Sequence, residues 1–149
     1  MEDRMIDDLD RGIIKLLSKD GRMPFSEIAT HLKVTEKTIR QRYKNLVSDQ
    51  IIEVVGVVNP IAIGLKEGAI IQIKPKQGYI KKITERLKGM EEVRFITITS
   101  GPYPILIQIN VRSQDDIRKS LLKLDELEGI LEINSIIQLE NYKNTFDYI

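Results

Sequence analysis

The sequence predicts an α+β protein of two small domains. A three-helix, winged or helix-turn-helix unit occupies residues 1–52, a strand and hinge 53–66, and a ferredoxin-like βαββαβ domain 67–149. Three observations predict it. Apolar residues up to Val47 recur at helical spacing, broken at Asp20-Gly21 and again at Lys33-Val34. A β-branched run, IIEVVGVV, then leads into the punctuation Asn59-Pro60 and Gly64. Beyond it the order strand, helix, strand is written twice, the pattern of a split antiparallel sheet with both helices on one face.

Residues 7–19 (DDLDRGIIKLLSK) read as the first helix. Leu9, Ile13, Leu16 and Leu17 form its buried stripe, and Asp7, Asp8 and Asp10 lie near the positive end of its macrodipole. Residues 24–32 (PFSEIATHL) read as a short second helix facing inward through Ile28, Ala29 and Leu32, with Ala29 small enough to let a neighbouring helix cross closely. Thr35 caps a third helix over 35–47, where Ile39, Tyr43 and Leu46 fall at i, i+4 and i+7 on one face. Lys37, Arg40, Gln41 and Lys44 fall on the other.

Residues 51–58 read as a strand leaving the first domain, and 59–65 as the hinge, with Pro60 holding its predecessor extended. Strands are expected at 69–74, 93–100, 104–112 and 129–140, and helices at 78–89 and 113–127, the latter opened by Ser113 and Asp116 in a capping-box arrangement. Tyr79, Ile80, Ile83 and Leu87 mark the buried side of the first of these helices, and Ile117, Leu121 and Leu124 that of the second. One helical layer leaves the other sheet face bare. On strand 104–112, Ile105, Ile107 and Ile109 point one way while Leu106 and Val111 add further apolar surface; on 93–100, Phe95, Ile96 and Ile98 occupy both faces. Strands apolar on both faces need cover on both, which predicts sheet-to-sheet dimerisation. Tyr142, Phe146 and Tyr148 are expected to pin the C-terminal segment.

Composition removes several function classes. The absence of cysteine excludes disulfides and thiolate metal sites, and a lone histidine, His31, argues against a histidine metal site or triad. No nucleophile–base pair or phosphate-binding glycine loop stands out, so neither an enzyme nor a cofactor is expected. No apolar run approaches the ~18–20 residues that span a bilayer. The acidic start MEDRMIDDLD lacks the basic region of a signal peptide, leaving the cytoplasm as the expected location. Net charge is only +1, so any grip on nucleic acid must be local. It is: Lys37, Arg40, Arg42 and Lys44 stand against Glu36 alone, while Asp and Glu dominate the first ten residues.

Two short helices with a tight connection, the second carrying the cations, form a helix-turn-helix pattern, and the long helix before them completes a three-helix unit. On this reading Lys37, Arg40, Gln41 and Lys44 face the major groove or its flanking phosphates, with Thr35, Glu36 and Thr38 near the groove. Arg42 lies beside the buried stripe and is expected to be structural or phosphate-directed, and Tyr43 to be core. The bland alternative is a solvated amphipathic helix.

The order of motifs resembles the Lrp/AsnC, or feast/famine, family of transcription regulators over nearly the whole chain. LDRGIIKLLSKDGR (9–22) is similar to the family's first helix, and EIATHLKVTEKTIRQRYKNLVSDQIIE (27–53) to its helix-turn-helix; Thr35, Thr38, Ile39, Arg42, Leu46, Ile51 and Ile52 fall at motif positions. NPIAIG (59–64) is similar to its linker, SGPY (100–103) to its glycine-tyrosine loop, and EGILEINS (128–135) to its closing strand. No piece is specific alone; five in order are. Four departures stand out: Lys33 at a turn glycine, Pro24 at a Ser/Thr cap, Gln50 at the glycine ending the recognition helix, and Pro104 where an aspartate commonly follows the loop tyrosine.

The resemblance implies binding of double-stranded DNA at a pseudo-palindromic operator. It implies a homodimer in which strand 51–58 pairs across subunits, and assembly to tetramers or octamers. It further implies a regulator-of-amino-acid-metabolism module taking an amino-acid effector between subunits, through Gly101, Pro102, Tyr103 and Pro104 with Asn134 and Ser135. Pro104 offers no carboxylate to an ammonium, and a tight hairpin turn explains Gly101-Pro102 as well. The competing function is a metabolite-sensing enzyme subunit without DNA binding.

Overall fold

A computed structural model describes residues 5–143. The chain divides into two compact units, one through Val57 and the other Val58–Tyr142. The first holds α1 (Asp8–Lys19), α2 (Phe25–Leu32) and α3 (Glu36–Ser48). Ile13, Ile14, Leu17, Ile28, Ala29, Ile39 and Leu46 are its buried core, and Leu9, Leu16 and Tyr43 pack at the margin. Asp7 caps α1, its carboxylate accepting the Asp10 N–H at 2.8 Å, and Thr35 caps α3, its hydroxyl accepting the Thr38 N–H at 3.1 Å. Pro24 opens α2 without a side-chain cap.

Both helices of the turn motif end on a residue with positive φ: Lys33 after α2 and Gln50 after α3, each at 57°. The hydrogen bonds are those of a Schellman motif. After α2, the Val34 N–H reaches the Ala29 carbonyl at 3.0 Å; after α3, the Ile51 N–H reaches Leu46 at 2.9 Å and the Gln50 N–H reaches Val47 at 3.0 Å. Val34 and Ile51 then pack on the core. The departures from glycine at these positions are therefore accommodated with the backbone geometry intact.

The strand expected at 51–58 does not form. Residues 53–58 join no ladder, and Val55, Val57 and Val58 are exposed, Val57 at 73%. β-branched residues supply strand propensity, but a strand exists only where a neighbour pairs its backbone, and among the described residues none pairs with this segment. Next, Asn59 closes a turn over Pro60, its side-chain oxygen accepting from the Ile61 N–H at 3.0 Å.

The second unit contains β1 (Glu67–Pro75), α4 (Ile80–Lys88), β2 (Val93–Ile98), β3 (Ile105–Val111), α5 (Gln114–Asp125) and β4 (Ile130–Gln138). Its sheet runs β2-β3-β1-β4, antiparallel throughout. Ala69, Ile71 and Ile73 on β1 and Ile105, Ile107, Ile109 and Val111 on β3 form the helix-covered face, closed by Ile83, Leu87, Ile117 and Leu124. Gly129 precedes β4 at φ +94°, where a Cβ would stand 2.0 Å from the Tyr79 ring.

The bare face is more polar than expected. Val111 shares the parity of Ile105, Ile107 and Ile109 and is buried with them, so β3 shows only Leu106, Gln108 and Asn110 on the other side. Ile70 pairs with Gln108 and Ile136, and Gln72 with Leu106 and Asn134. On β2, Ile96 and Ile98 align with Ile107 and Ile105, leaving Phe95, 51% exposed, as the apolar residue of the open face. Tyr142 is 89% exposed, and Phe146 and Tyr148 lie outside the described residues.

Gln50→Gly should raise unfolding free energy by about 0.5–1 kcal/mol. This is the left-handed penalty of a side-chain-bearing residue less the extra chain entropy of glycine. A urea titration measures it; an unchanged midpoint would show that Gln50 sits at φ 57° without strain.

Candidate nucleic-acid interface and effector loop

The exposed face of α3 carries Lys37, Arg40, Gln41 and Lys44 at helical spacing, all solvent-accessible. Two are held by their neighbours: Arg40 Nη2 lies 2.6 Å from Glu36 Oε1, and Gln41 Nε2 donates to Asn45 Oδ1 at 3.0 Å. Together with Phe25, Tyr43 and Val47 the four line a groove of about 580 Å³. Phe25 and Tyr43 lie 5.0 Å apart, and the Arg40 guanidinium lies 5.3 Å above the Phe25 ring. Cations and an amide on one exposed helical face suit phosphates and base edges.

Thr35 and Glu36 open the helix at the surface, whereas Thr38 is half-buried and its hydroxyl is 2.8 Å from that of Thr35. Arg42 points elsewhere. It forms an ion pair with Asp7 and approaches Asp10 at 3.3 Å, tying α3 to α1. The Asp10 N–H first and the Arg42 guanidinium second hold the Asp7 carboxyl below its ordinary range, and Asp7 in turn raises Arg42. Of the eight residues expected at DNA, Lys37, Arg40, Gln41 and Lys44 thus share one open face, Thr35, Glu36 and Thr38 cluster at the helix N-terminus, and Arg42 serves the helix pair.

In the loop between β2 and β3, Gly101 has φ +110° with nothing within 4 Å of a would-be Cβ, so conformation rather than space calls for glycine. The Thr99 N–H donates to Pro104 at 2.8 Å, and the Thr99 hydroxyl donates to the Tyr103 carbonyl at 3.0 Å, closing the loop. Tyr103 Oη lies 3.2 Å from Glu132 on β4, and Lys74 lies 3.3 Å from the same carboxylate. Asn134 shares the open face with Glu132 and donates to Gln72 at 2.8 Å, while Ser135, one residue on, belongs to the helix side opposite Ile71. Of the six effector positions, four sit in the loop, Asn134 on the open face and Ser135 on the helix side. Sequence reasoning missed Phe25, Glu132 and Lys74. Only pairing register joins Lys74 to Glu132, and nothing local in the sequence announces it.

Among the described residues no helix is long and apolar enough to cross a membrane, and no cluster of His, Cys, Asp or Glu could hold a metal ion.

Residues 6–47 match the family model of the AsnC-type helix-turn-helix domain, and residues 68–148 that of the Lrp/AsnC ligand binding domain. The HTH-type transcriptional regulator FL11 of Pyrococcus abyssi is 31% identical over 141 residues, covering 94% of this chain and 93% of its own. The HTH-type transcriptional regulator LrpA of Pyrococcus horikoshii is 33% identical over 141 residues, covering 93% of this chain and 100% of its own. The structure of E. coli AsnC superposes with a TM-score of 0.89 at 29% identity, over 94% of this chain and 96% of that one. With both halves matched in order, the chain belongs to the Lrp/AsnC family of transcriptional regulators and not to an enzyme class.

Proposed function

We propose that this regulator binds DNA sequence-specifically as a homodimer or higher oligomer in the cytoplasm, and that an amino acid or related small metabolite bound between subunits of the C-terminal domain modulates it. The carrying observation is the single exposed face of α3 bearing Lys37, Arg40, Gln41 and Lys44 while Arg42 turns to α1. Arg40 and Gln41 have the reach and donor geometry for base edges, and the lysines suit phosphates.

One such helix reads few base pairs. Two related by a two-fold axis enter successive major grooves about 34 Å apart and read a pseudo-palindrome. The unpaired, exposed valines of 54–58 support assembly, because a second copy would give their backbone the ladder it lacks. For the effector, the glycine loop at Gly101 is suited to a carboxylate. Glu132 beside Tyr103 supplies the acidic group that Pro104 does not, although Lys74 already pairs with it.

A gel shift on the chain's own upstream region should show a retarded complex. Arg40→Ala should lose operator preference by ~1–3 kcal/mol while random-sequence binding survives. Equal losses on both would make Arg40 a backbone contact, and no complex with either DNA would favour a metabolite sensor without DNA binding. Sedimentation at micromolar concentration should give a dimer or larger; a clean monomer contradicts the assembly. Calorimetric titration against the twenty amino acids should yield heat with at least one, and silence with all would leave 100–104 a hairpin turn only.

A further inference from the structure

We propose that Phe25, the first residue of α2, is a positioning residue for base readout: its ring and the Glu36 carboxylate together fix the direction of the Arg40 guanidinium on α3. The inference rests on Arg40 contacting base edges.

An arginine side chain has much rotamer freedom to lose, and a fork that must meet two acceptors on one base gains most when its plane is set beforehand. Arg40 is held from two directions. Glu36, one turn earlier, approaches Nη2 at 2.6 Å, and the Phe25 ring lies 5.3 Å below Cζ. An exposed i,i+4 ion pair by itself contributes little and is weakened by salt. A ring face adds a contact that restricts the tilt of the guanidinium plane. The ring is itself placed: Pro24, at φ −61°, sets the chain direction into α2, and Tyr43 packs on Phe25 at 51°. Phe25 is half-buried against the domain core, so it reaches the surface from a fixed base. A residue of the supporting helix thereby acts on specificity through Arg40.

The test uses the full chain and two duplexes of equal length: one selected by the wild-type protein from a randomised library, and one of random sequence. Affinities by fluorescence anisotropy at two salt concentrations are compared for wild type, F25L, F25Y, R40A and F25L/R40A, with circular-dichroism melts fixing the folded fraction. F25L should lower the selected-to-random affinity ratio about two- to fivefold, the size of one exposed cation–π contact. Random-sequence affinity and salt slope should stay unchanged, since phosphate contacts set them. F25Y, which keeps the ring, should retain the ratio. F25L should have no further effect on the ratio in the R40A background, as expected of one residue acting through the other. Equal loss by F25L on both duplexes, or an undiminished F25L effect in the R40A background, overturns the proposal. So does an unchanged ratio in F25L where R40A lowers it, an outcome that leaves base contact by Arg40 standing. An unchanged ratio in R40A removes that contact and the role of Phe25 with it.

Discussion

The N-terminal unit depends on one buried charge. Asp10 is 1% exposed on α1, and a carboxylate in that position is tolerated only if cationic or hydrogen-bond partners meet it there. Arg42 of α3 is one such partner, shared with Asp7, which also caps α1. The tie joins α3 to α1 across 35 and 32 residues of chain, a reach that no local helix signal has. It also fixes rotation. With Arg42 directed at α1 and Ile39 and Leu46 in the core, the helical period leaves Lys37, Arg40, Gln41 and Lys44 no direction but outward. The charge segregation visible in the sequence, acids at the start and bases at 35–47, is therefore partly a folding device: some of those opposite charges meet.

The C-terminal unit follows a different logic. On β1 and β3 its helix-covered face is nearly uniform isoleucine, and the buried Ser120 of α5 satisfies its hydroxyl on the Asp116 carbonyl at 3.0 Å. The open face alternates Ile70, Leu106 and Ile136 with Gln72, Gln108 and Asn134, and side-chain amides bond across strands, Asn134 to Gln72 and Gln108 to Gln138 at 2.9 Å. Such a surface can lie in water or against another protein, and its amides would then need matched partners. At the loop end of the sheet, Tyr103 and Lys74 both meet the Glu132 carboxylate, joining the loop, β1 and β4.

Much of this was legible because it is local. Helical periodicity, the Thr35 and Ser113 caps and the alternation of strands with helices all act within a few residues, and the elements appear where the sequence puts them. What was not legible depends on distant partners. IIEVVGVV has every local property of a strand, yet among the described residues no neighbour pairs with it. Arg42 could be placed beside the buried stripe, but its attachment to Asp7, 35 residues away, is a tertiary fact. Glu132 meets Tyr103 only because β1 and β3 bring β4 and the loop to the same end of the sheet. Val111 lies two residues beyond Ile109 and therefore on the same, helix-covered face.

The left-handed residues at 33 and 50 bear on how the unit responds to heat. Strain at a crowded backbone is chiefly an energy and changes little with temperature, whereas the disadvantage of glycine is chain entropy, whose weight grows in proportion to absolute temperature. Lysine and glutamine at these turns therefore give up most in the cold and least in the hot. A sequence with side chains at both helix ends carries its penalty where stability is ample and sheds part of it as the melting point nears.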